Sequence, residues 1–423
     1  MVVVGYRIIH VCWIDLVFSR REAWVVFKLS IIKAKWFVGG ICVFFTAFAI
    51  FVALSDIGMA LSMGQGVEKM APDGSPKPSK IISVDGSINA VSFSRDGSQL
   101  AVLSQFGSIA SAFDTRSWTL QHRFERYSGG YSYNSVALLH DGSLLTAAPV
   151  GSDAVTRHYS NTDSQYSRLD IFSMIVWNAA TGRVSRYIPS VPSINPASRD
   201  SIHTDTFALS LDGVLIAAIP SPGDCVMLYN AQTGILLATL SMPPYSDKIG
   251  DSAMSVGFSP DNTELAVGTT GGRVYFFARD GKMRRRLTAF SYPYGVNKLA
   301  YSPNGKFLAV GSYQGFDLPK PLTVGIAIID PQNGKQISQL SAPTYAIGAI
   351  ANPEPVRALG WGGRAPTLVV GYDSKLQMWD VRNPRAPKQK LNDSVDHGVG
   401  SIAFAPGGQL AVGTGNSVLI YEQ

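Results

Sequence analysis

The stretch AMSVGFSPDNTELAVGTTGGRVYFFARDGKMRRRL, residues 253–287, decides the fold. Ala253–Phe258 reads as a first strand, and a Ser-Pro-Asp-Asn turn reverses the chain into a second at Thr263–Gly268. Thr-Thr-Gly-Gly leads to a third strand at Arg273–Ala278, and Arg279–Lys282 turns into a fourth at Met283–Leu287. Each is a short run of β-formers bounded by Gly, Pro, Asn or Asp, the pattern of consecutive hairpins. A small four-stranded sheet with two apolar faces cannot bury itself alone. Stacked radially against copies of itself, it can.

The copies are present. The turn and second strand recur as SRDGSQLAVLS (Ser94–Ser104), LHDGSLLTAAP (Leu139–Pro149), SLDGVLIAAIP (Ser210–Pro220), SPDNTELAVGT (Ser259–Thr269), SPNGKFLAVGS (Ser302–Ser312), GGRAPTLVVGY (Gly362–Tyr372) and APGGQLAVGTG (Ala405–Gly415). Their starts lie 45, 71, 49, 43, 60 and 43 residues apart, a period near 43 with the excess placed in loops. The last copy supplies only three strands, at Gly400–Phe404, Gln409–Gly413 and Ser417–Tyr421, while an orphan strand, Lys80–Val84, precedes the first copy. Pairing the orphan into the last sheet removes two open edges. The fold class is therefore all-β: a seven-bladed β-propeller of four-stranded antiparallel blades, closed by an N-terminal strand and preceded by one transmembrane or signal helix.

One repeat position carries an Asx residue six times: Asp114, Asn178, Asn230, Asp280, Asp330 and Asp380. A ring of metal ligands is one reading. Side chains bonding their own third-to-fourth-strand turn, with Gly182, Gly234, Gly281 or Gly334 at positive φ, account for the position without a ligand, and that reading is preferred.

LQMWDVRN (Leu376–Asn383) holds a Trp-Asp pair, and VSFSRDG, VGFSPDN and LAYSPNG repeat one first-strand turn. Over Lys80 to Tyr421 the chain resembles the WD-repeat β-propeller family, of bacterial type. A single copy has Trp-Asp, a Gly-His pair is absent, and His397 stands in its place before the last repeat. The family's buried His/Ser/Trp/Asp network is thus mostly missing. The resemblance implies a propeller with a scaffold-like role.

Ahead of the repeats, Trp36–Leu54 is an uncharged apolar run of 19 residues, nearly enough for a helix to cross a bilayer core. Arg20, Arg21, Lys28, Lys33 and Lys35 precede it and Asp56 follows, which places the N-terminus in the cytoplasm and the propeller outside, in a periplasm or extracytoplasmic space. The expected organisation is a basic segment at 1–35, a membrane or signal-anchor helix at 36–55, a flexible tether at 56–79 and the propeller at 80–423. Small residues at Ala53 and Ser55, or at Ala60 and Ser62, offer cleavage to a soluble form as the alternative.

The net charge of +6 divides evenly: residues 1–70 carry seven Lys/Arg against four Asp/Glu, and residues 71–423 carry 29 against 26. A near-neutral propeller gives no case for nucleic acid. The basic run Lys282–Arg286 falls on an outermost strand, where charge keeps a sheet edge from pairing with other molecules. Of the three cysteines, only Cys225 lies among the repeats, read as a small buried apolar residue.

No nucleophile elbow, metalloprotease helix or phosphate loop occurs, and no catalytic, cofactor-binding or metal residue is assigned. Trp177, Trp361 and Trp379 fall on strands as blade packing. His158 and His203, in insertions at Val150–Asp170 and Pro189–Asp205, mark the alternative function, an exported enzyme or ligand-binding protein with its site at the axial funnel. The favoured function is a non-enzymatic interaction scaffold or envelope-complex subunit, monomeric in its propeller, with unidentified protein partners. One rim gathers Tyr127, Tyr131, Tyr133, Tyr159, Tyr166, Tyr245, Tyr292, Tyr294 and Tyr345. Two readings stay open for them: a contact surface, which Tyr suits by area and polar tip, or filling of the crevices between blades.

Overall fold

The computed structural model describes residues 76–104, 109–125, 135–147, 172–189, 204–220, 223–246, 249–291, 294–314, 324–347, 350–363 and 366–422. The first 75 residues, with the expected Trp36–Leu54 span, lie outside them. Among the described residues no helix is long and apolar enough to cross a membrane.

Seven four-stranded antiparallel sheets make up the wheel, and in six of them the strands follow chain order from axis to rim. Blades 1 to 6 occupy 88–125, 136–189, 204–241, 253–288, 294–341 and 358–394. Blade 7 combines Val399–Phe404, Leu410–Thr414 and Ser417–Tyr421 with Lys80–Ser83 as its outermost strand. The closing pairs are Lys80 with Ile420, Ile81 with Leu419, Ile82 with Val418 and Ser83 with Ser417. The Ser79 and Val84 amides extend the zip by donating to the Ile420 and Asn416 carbonyls at 2.7 and 2.9 Å. Strand limits in blade 4 fall within one residue of those read from the sequence.

Burial follows position in the blade. Second strands are buried but for an end residue in some, and wholly so in Leu215–Pro220 and Glu264–Thr269, because a neighbouring blade covers each face. Outermost strands alternate: Leu236–Ser241 buries Leu240 and exposes Leu237, Thr239 and Ser241. The core is accordingly split among the blade interfaces. One cluster joins Ile82, Val418 and Ile420 of blade 7 to Ile88, Leu100 and Phe113 of blade 1, and others join blades 3 to 4, 4 to 5, 5 to 6 and 6 to 7. A single larger cluster runs through blades 1, 2 and 3.

In blades 4 to 7 the second strand carries Gly268, Gly311, Gly371 and Gly413, and a β-branched residue opening the next blade presses on each. A Cβ on Gly268 would meet Val296 at 2.3 Å, and one on Gly413 would meet Ile88 at 2.5 Å. The repeated Val-Gly of the sequence is thus a steric notch between blades.

The turns behave as read. Asp114, Asn178, Asn230, Asp280, Asp330 and Asp380 each accept backbone N–H bonds from their own turn at 2.8–3.1 Å, and Gly182, Gly234, Gly281 and Gly334 all take positive φ. Cys225 is buried at 1 % exposure, and burial together with Asp224 pushes its thiol up to about 12.

One reading needs correction. Within the Lys282–Arg286 run, Arg284 and Arg286 are exposed as an edge guard would be, but Arg285 points inward. Its guanidinium meets both oxygens of buried Glu264 at 2.5 and 2.7 Å and lies 4.1 Å over the Phe276 ring. Its Nε donates to the Pro331 carbonyl of blade 5 at 2.9 Å, and the Tyr301 hydroxyl of blade 5 donates to Glu264 at 3.1 Å. Strand alternation turns every second side chain inward, so the middle arginine is a strut between blades. Arg186, at the equivalent place in blade 2, donates to the Ala231 carbonyl of blade 3 at 2.5 Å.

Two predictions follow from these contacts. Arg285→Ala strands a buried carboxylate and is expected to cost about 3 kcal/mol in denaturant unfolding, with Arg285→Ala/Glu264→Gln costing less than the sum of the single changes. The second concerns acid. The Ser94 hydroxyl, aided by Ser98, holds Asp96 at about 2, below its ordinary 3.8. Arg382 does the same for Asp380, and Asp261 is lowered chiefly by the Ser259 hydroxyl. Folded values below unfolded ones give stability present above about pH 4 and lost as pH falls toward 2. Thermal melts should drop through that window, and Asp96→Asn with Asp261→Asn should flatten the drop.

Candidate interaction face

A propeller has two rims. Turns between first and second and between third and fourth strands lie on one, where they are short and uniform. The other rim collects the second-to-third-strand turns and the connections between blades, which vary in length. Of the nine tyrosines of the sequence reading, Tyr245, Tyr294 and Tyr345 lie in strands at or beside the second rim.

The other six, Tyr127, Tyr131, Tyr133, Tyr159, Tyr166 and Tyr292, lie outside the described residues, as do His158 and His203. Tyr294 opens the innermost strand of blade 5. It is 6 % exposed and packs with Phe290, Val296, Leu308 and Val310. Tyr245 and Tyr345 occupy features the sequence reading treated as plain loops. The connection from blade 3 to blade 4 folds into a two-stranded ribbon, Pro244–Ser246 against Ile249–Gly250. The connection from blade 5 to blade 6 folds likewise, Thr344–Ile347 against Ile350–Pro353, pairing Tyr345 with Asn352. Each ribbon is its own small sheet, unpaired with any blade. The signal for the second was present in TYAIGAIANP, two β-forming runs split by a glycine.

A buried acid fastens each ribbon where it enters its blade. Asp251, 2 % exposed, accepts the Gly271 amide at 2.9 Å and the Tyr275 hydroxyl at 3.0 Å, with the Arg273 guanidinium 3.6 Å away. Glu354, 6 % exposed, accepts the Ser374 amide at 2.9 Å and, through its other oxygen, the Ser374 hydroxyl. Burial, with Glu354 nearby, raises the pKa of Tyr372, which stays neutral. Each carboxylate thus clasps the incoming connection to the second-to-third-strand turn of the blade it opens. His397 sits at the same place before blade 7, with its ring against Gly415. Sequence reading noted His397 and missed the two acids, which lie in connections of differing length and meet partners about 20 residues on.

Another element of the expected packing is present in blade 2, where the Trp177 indole donates to the Thr146 hydroxyl at 3.0 Å. Trp361 is 8 % exposed and stacks on Phe307 across the interface of blades 5 and 6. Among the described residues no three His, Cys, Asp or Glu side chains are grouped as a metal site.

With this geometry in place, the kinship can be stated. A model of the WD domain, G-beta repeat, matches residues 281–316. That interval runs from the outermost strand of blade 4 through the first two strands of blade 5, so the sequence repeat straddles two blades. The chain folds as a seven-bladed β-propeller and carries a match to the WD repeat within it. The small ribosomal subunit protein RACK1 of Candida albicans is 27% identical over 132 residues, 31% of this chain and 38% of that protein. Echinoderm microtubule-associated protein-like 2 of Rattus norvegicus is 29% identical over 142 residues, 33% of this chain and 19% of that protein. The matches thus span well under half of either relative. A chain in a crystal structure of the mitotic checkpoint complex shares the fold with a TM-score of 0.60 at 12% identity, covering 95% of this chain and 99% of that one.

The propeller's clasp gives the test. Asp251→Ala leaves the Tyr275 hydroxyl and the Gly271 amide without their acceptor and is expected to cost about 3 kcal/mol. Hydrogen exchange should quicken at 244–250 while the ribbon at 344–353 is unchanged.

Proposed function

We propose that the propeller is a non-enzymatic protein-interaction scaffold whose contact face is the rim bearing the two ribbons, with Tyr245 and Tyr345 among its contact residues. The observation that carries this reading is the pair of ribbons, each clasped at its base by a buried acid. Blade packing does not require them, since residues 395–398 join blade 6 to blade 7, and residues 84–87 join blade 7 to blade 1, without one. A rigid base lowers the ordering cost of presenting a loop to a partner, and Tyr adds contact area with little side-chain entropy to lose. Propellers of this family typically serve as interaction scaffolds. Two of the similar proteins are named for assemblies, the small ribosomal subunit and the mitotic checkpoint complex.

The proposal extends to place. The Trp36–Leu54 run, with basic residues before it and Asp56 after it, supports a single-pass anchor that holds the propeller outside the cytoplasmic membrane as a subunit of an envelope complex. Partners in that setting are membrane or extracytoplasmic proteins.

The test is affinity capture of the full chain from detergent-solubilised membranes, compared with Tyr245→Ser/Tyr345→Ser. The variant should melt with the wild type and lose on the order of tenfold in partner recovery, the loss of an aromatic anchor at an interface. Equal recovery, or a chain found wholly in the soluble cytoplasmic fraction, contradicts the reading.

A further inference from the structure

Among the described residues, the rim opposite the ribbons carries six like turns between first and second strands, and their second residues divide sharply. In each turn the fourth residue donates its amide to the carbonyl of the first: Gly97 to Ser94, Gly142 to Leu139, Gly213 to Ser210, Asn262 to Ser259, Gly305 to Ser302 and Gly408 to Ala405. Such turns favour proline at the second position, where its fixed φ suits the geometry. Blades 4, 5 and 7 follow the rule with Pro260, Pro303 and Pro406. Blades 1, 2 and 3 carry Arg95, His140 and Leu211 instead. Those three consecutive departures line one cleft of ≈ 280 Å³.

Its walls come from the innermost strands of the same three blades: Phe93, Leu138, Phe207 and Leu209. Leu211 stands at the edge, 57 % exposed. The second turn residue also has a packing role, since Pro406 covers Gly97 and Pro260 covers Gly305. His140 keeps that role by laying its ring against Gly213, so close that a Cβ there would stand 2.5 Å from Nε2. Arg95 does not. Nothing lies within 4 Å of the Cβ position of Gly142, and the Arg95 guanidinium instead donates to His140 Nε2 at 2.9 Å.

Arg95 also differs from the arginines that brace the blades. Arg123, Arg279, Arg285, Arg357 and Arg382 each hold a carboxylate at 2.5–2.8 Å. Arg95 meets none among the described residues; its partner is an imidazole nitrogen. A cleft with apolar walls, a polar rim and a guanidinium at its mouth that meets no carboxylate is complementary to an apolar side chain with an acidic neighbour. The volume lies just below the ~300 Å³ lower bound for small-molecule pockets and accommodates one large side chain.

We infer that this cleft is a second binding site, distinct from the ribbon face, and that it takes a peptide segment of a partner protein bearing one large apolar side chain next to a carboxylate. The apolar group enters between Phe93, Leu138, Phe207 and Leu209. The carboxylate pairs with Arg95, whose orientation His140 sets, and the peptide backbone passes over Leu211.

The probe is a phage library of random dodecapeptides panned on the full chain in detergent micelles, followed by titration of one synthetic enriched peptide. Enriched sequences should pair Phe, Leu, Ile, Met or Trp with Asp or Glu within two positions. Binding should fall on the order of tenfold for Arg95→Ala, the worth of a charge-assisted hydrogen bond, and at least as far for Leu211→Asp, which sets a like charge at the edge. Both variants alter exposed side chains and should melt with the wild type. The inference is overturned if no peptide enriches, if enriched peptides lack an acid, or if they bind both variants as well as the wild type. Peptides that instead lose binding to Tyr245→Ser/Tyr345→Ser belong to the ribbon face and overturn it too.

Discussion

A blade with two apolar faces must be covered on both, and this obligation organises the rest of the wheel. Every described core cluster reaches across a boundary between blades, so no blade has a core of its own. An open row would leave two faces bare at its ends. Joining the ends removes both, and the chain does so by pairing Lys80–Ser83, which precedes blade 1, with Ser417–Tyr421 in blade 7. Ile82, Val418 and Ile420 then belong to the same cluster as Leu100 and Phe113 of blade 1, so the latch is part of the core.

The two rims inherit different freedoms. First-to-second and third-to-fourth-strand turns must reverse a hairpin in a few residues, which fixes them as Asx- and Gly-bearing units of nearly constant length. Connections between blades must only travel from the outside of one sheet to the axis of the next, so they can lengthen. Among the described residues two have become ribbons, and the buried carboxylates of Asp251 and Glu354 tie them down. Departures from uniformity are therefore informative on both rims. On the constrained rim, a turn that gives up proline for arginine, histidine or leucine has given up a local preference.

What was legible in the sequence was local. The hairpins, the Asx turns and their positive-φ glycines, and the buried second strands depend on residues a few places apart, and Asp280 with Gly281 announces its turn without help from the rest of the chain. Ring closure was legible because the last repeat lacked a strand and the first had one to spare. Arg285 was harder to read: a run of basic residues on an edge strand looks solvated, and only Glu264 on another strand of the sheet and Pro331 in the next blade turn one of them into a strut. Tyr294 teaches the same lesson. Composition placed it on a rim, while Phe290 and Val296 hold it inside. Asp251 and Glu354 were invisible because their partners, Gly271 and Ser374, sit across a blade in sequence and are joined to them only by folding.

Native-state hydrogen exchange on the full chain in detergent tests the latch most directly. If Lys80–Ser83 completes blade 7, amides of 79–84 and 417–421 should be protected together and open together, in the slowest phase of the propeller. Exchange of 79–84 within seconds while 417–421 stays protected would mean that the wheel does not depend on its latch, and the account would fail.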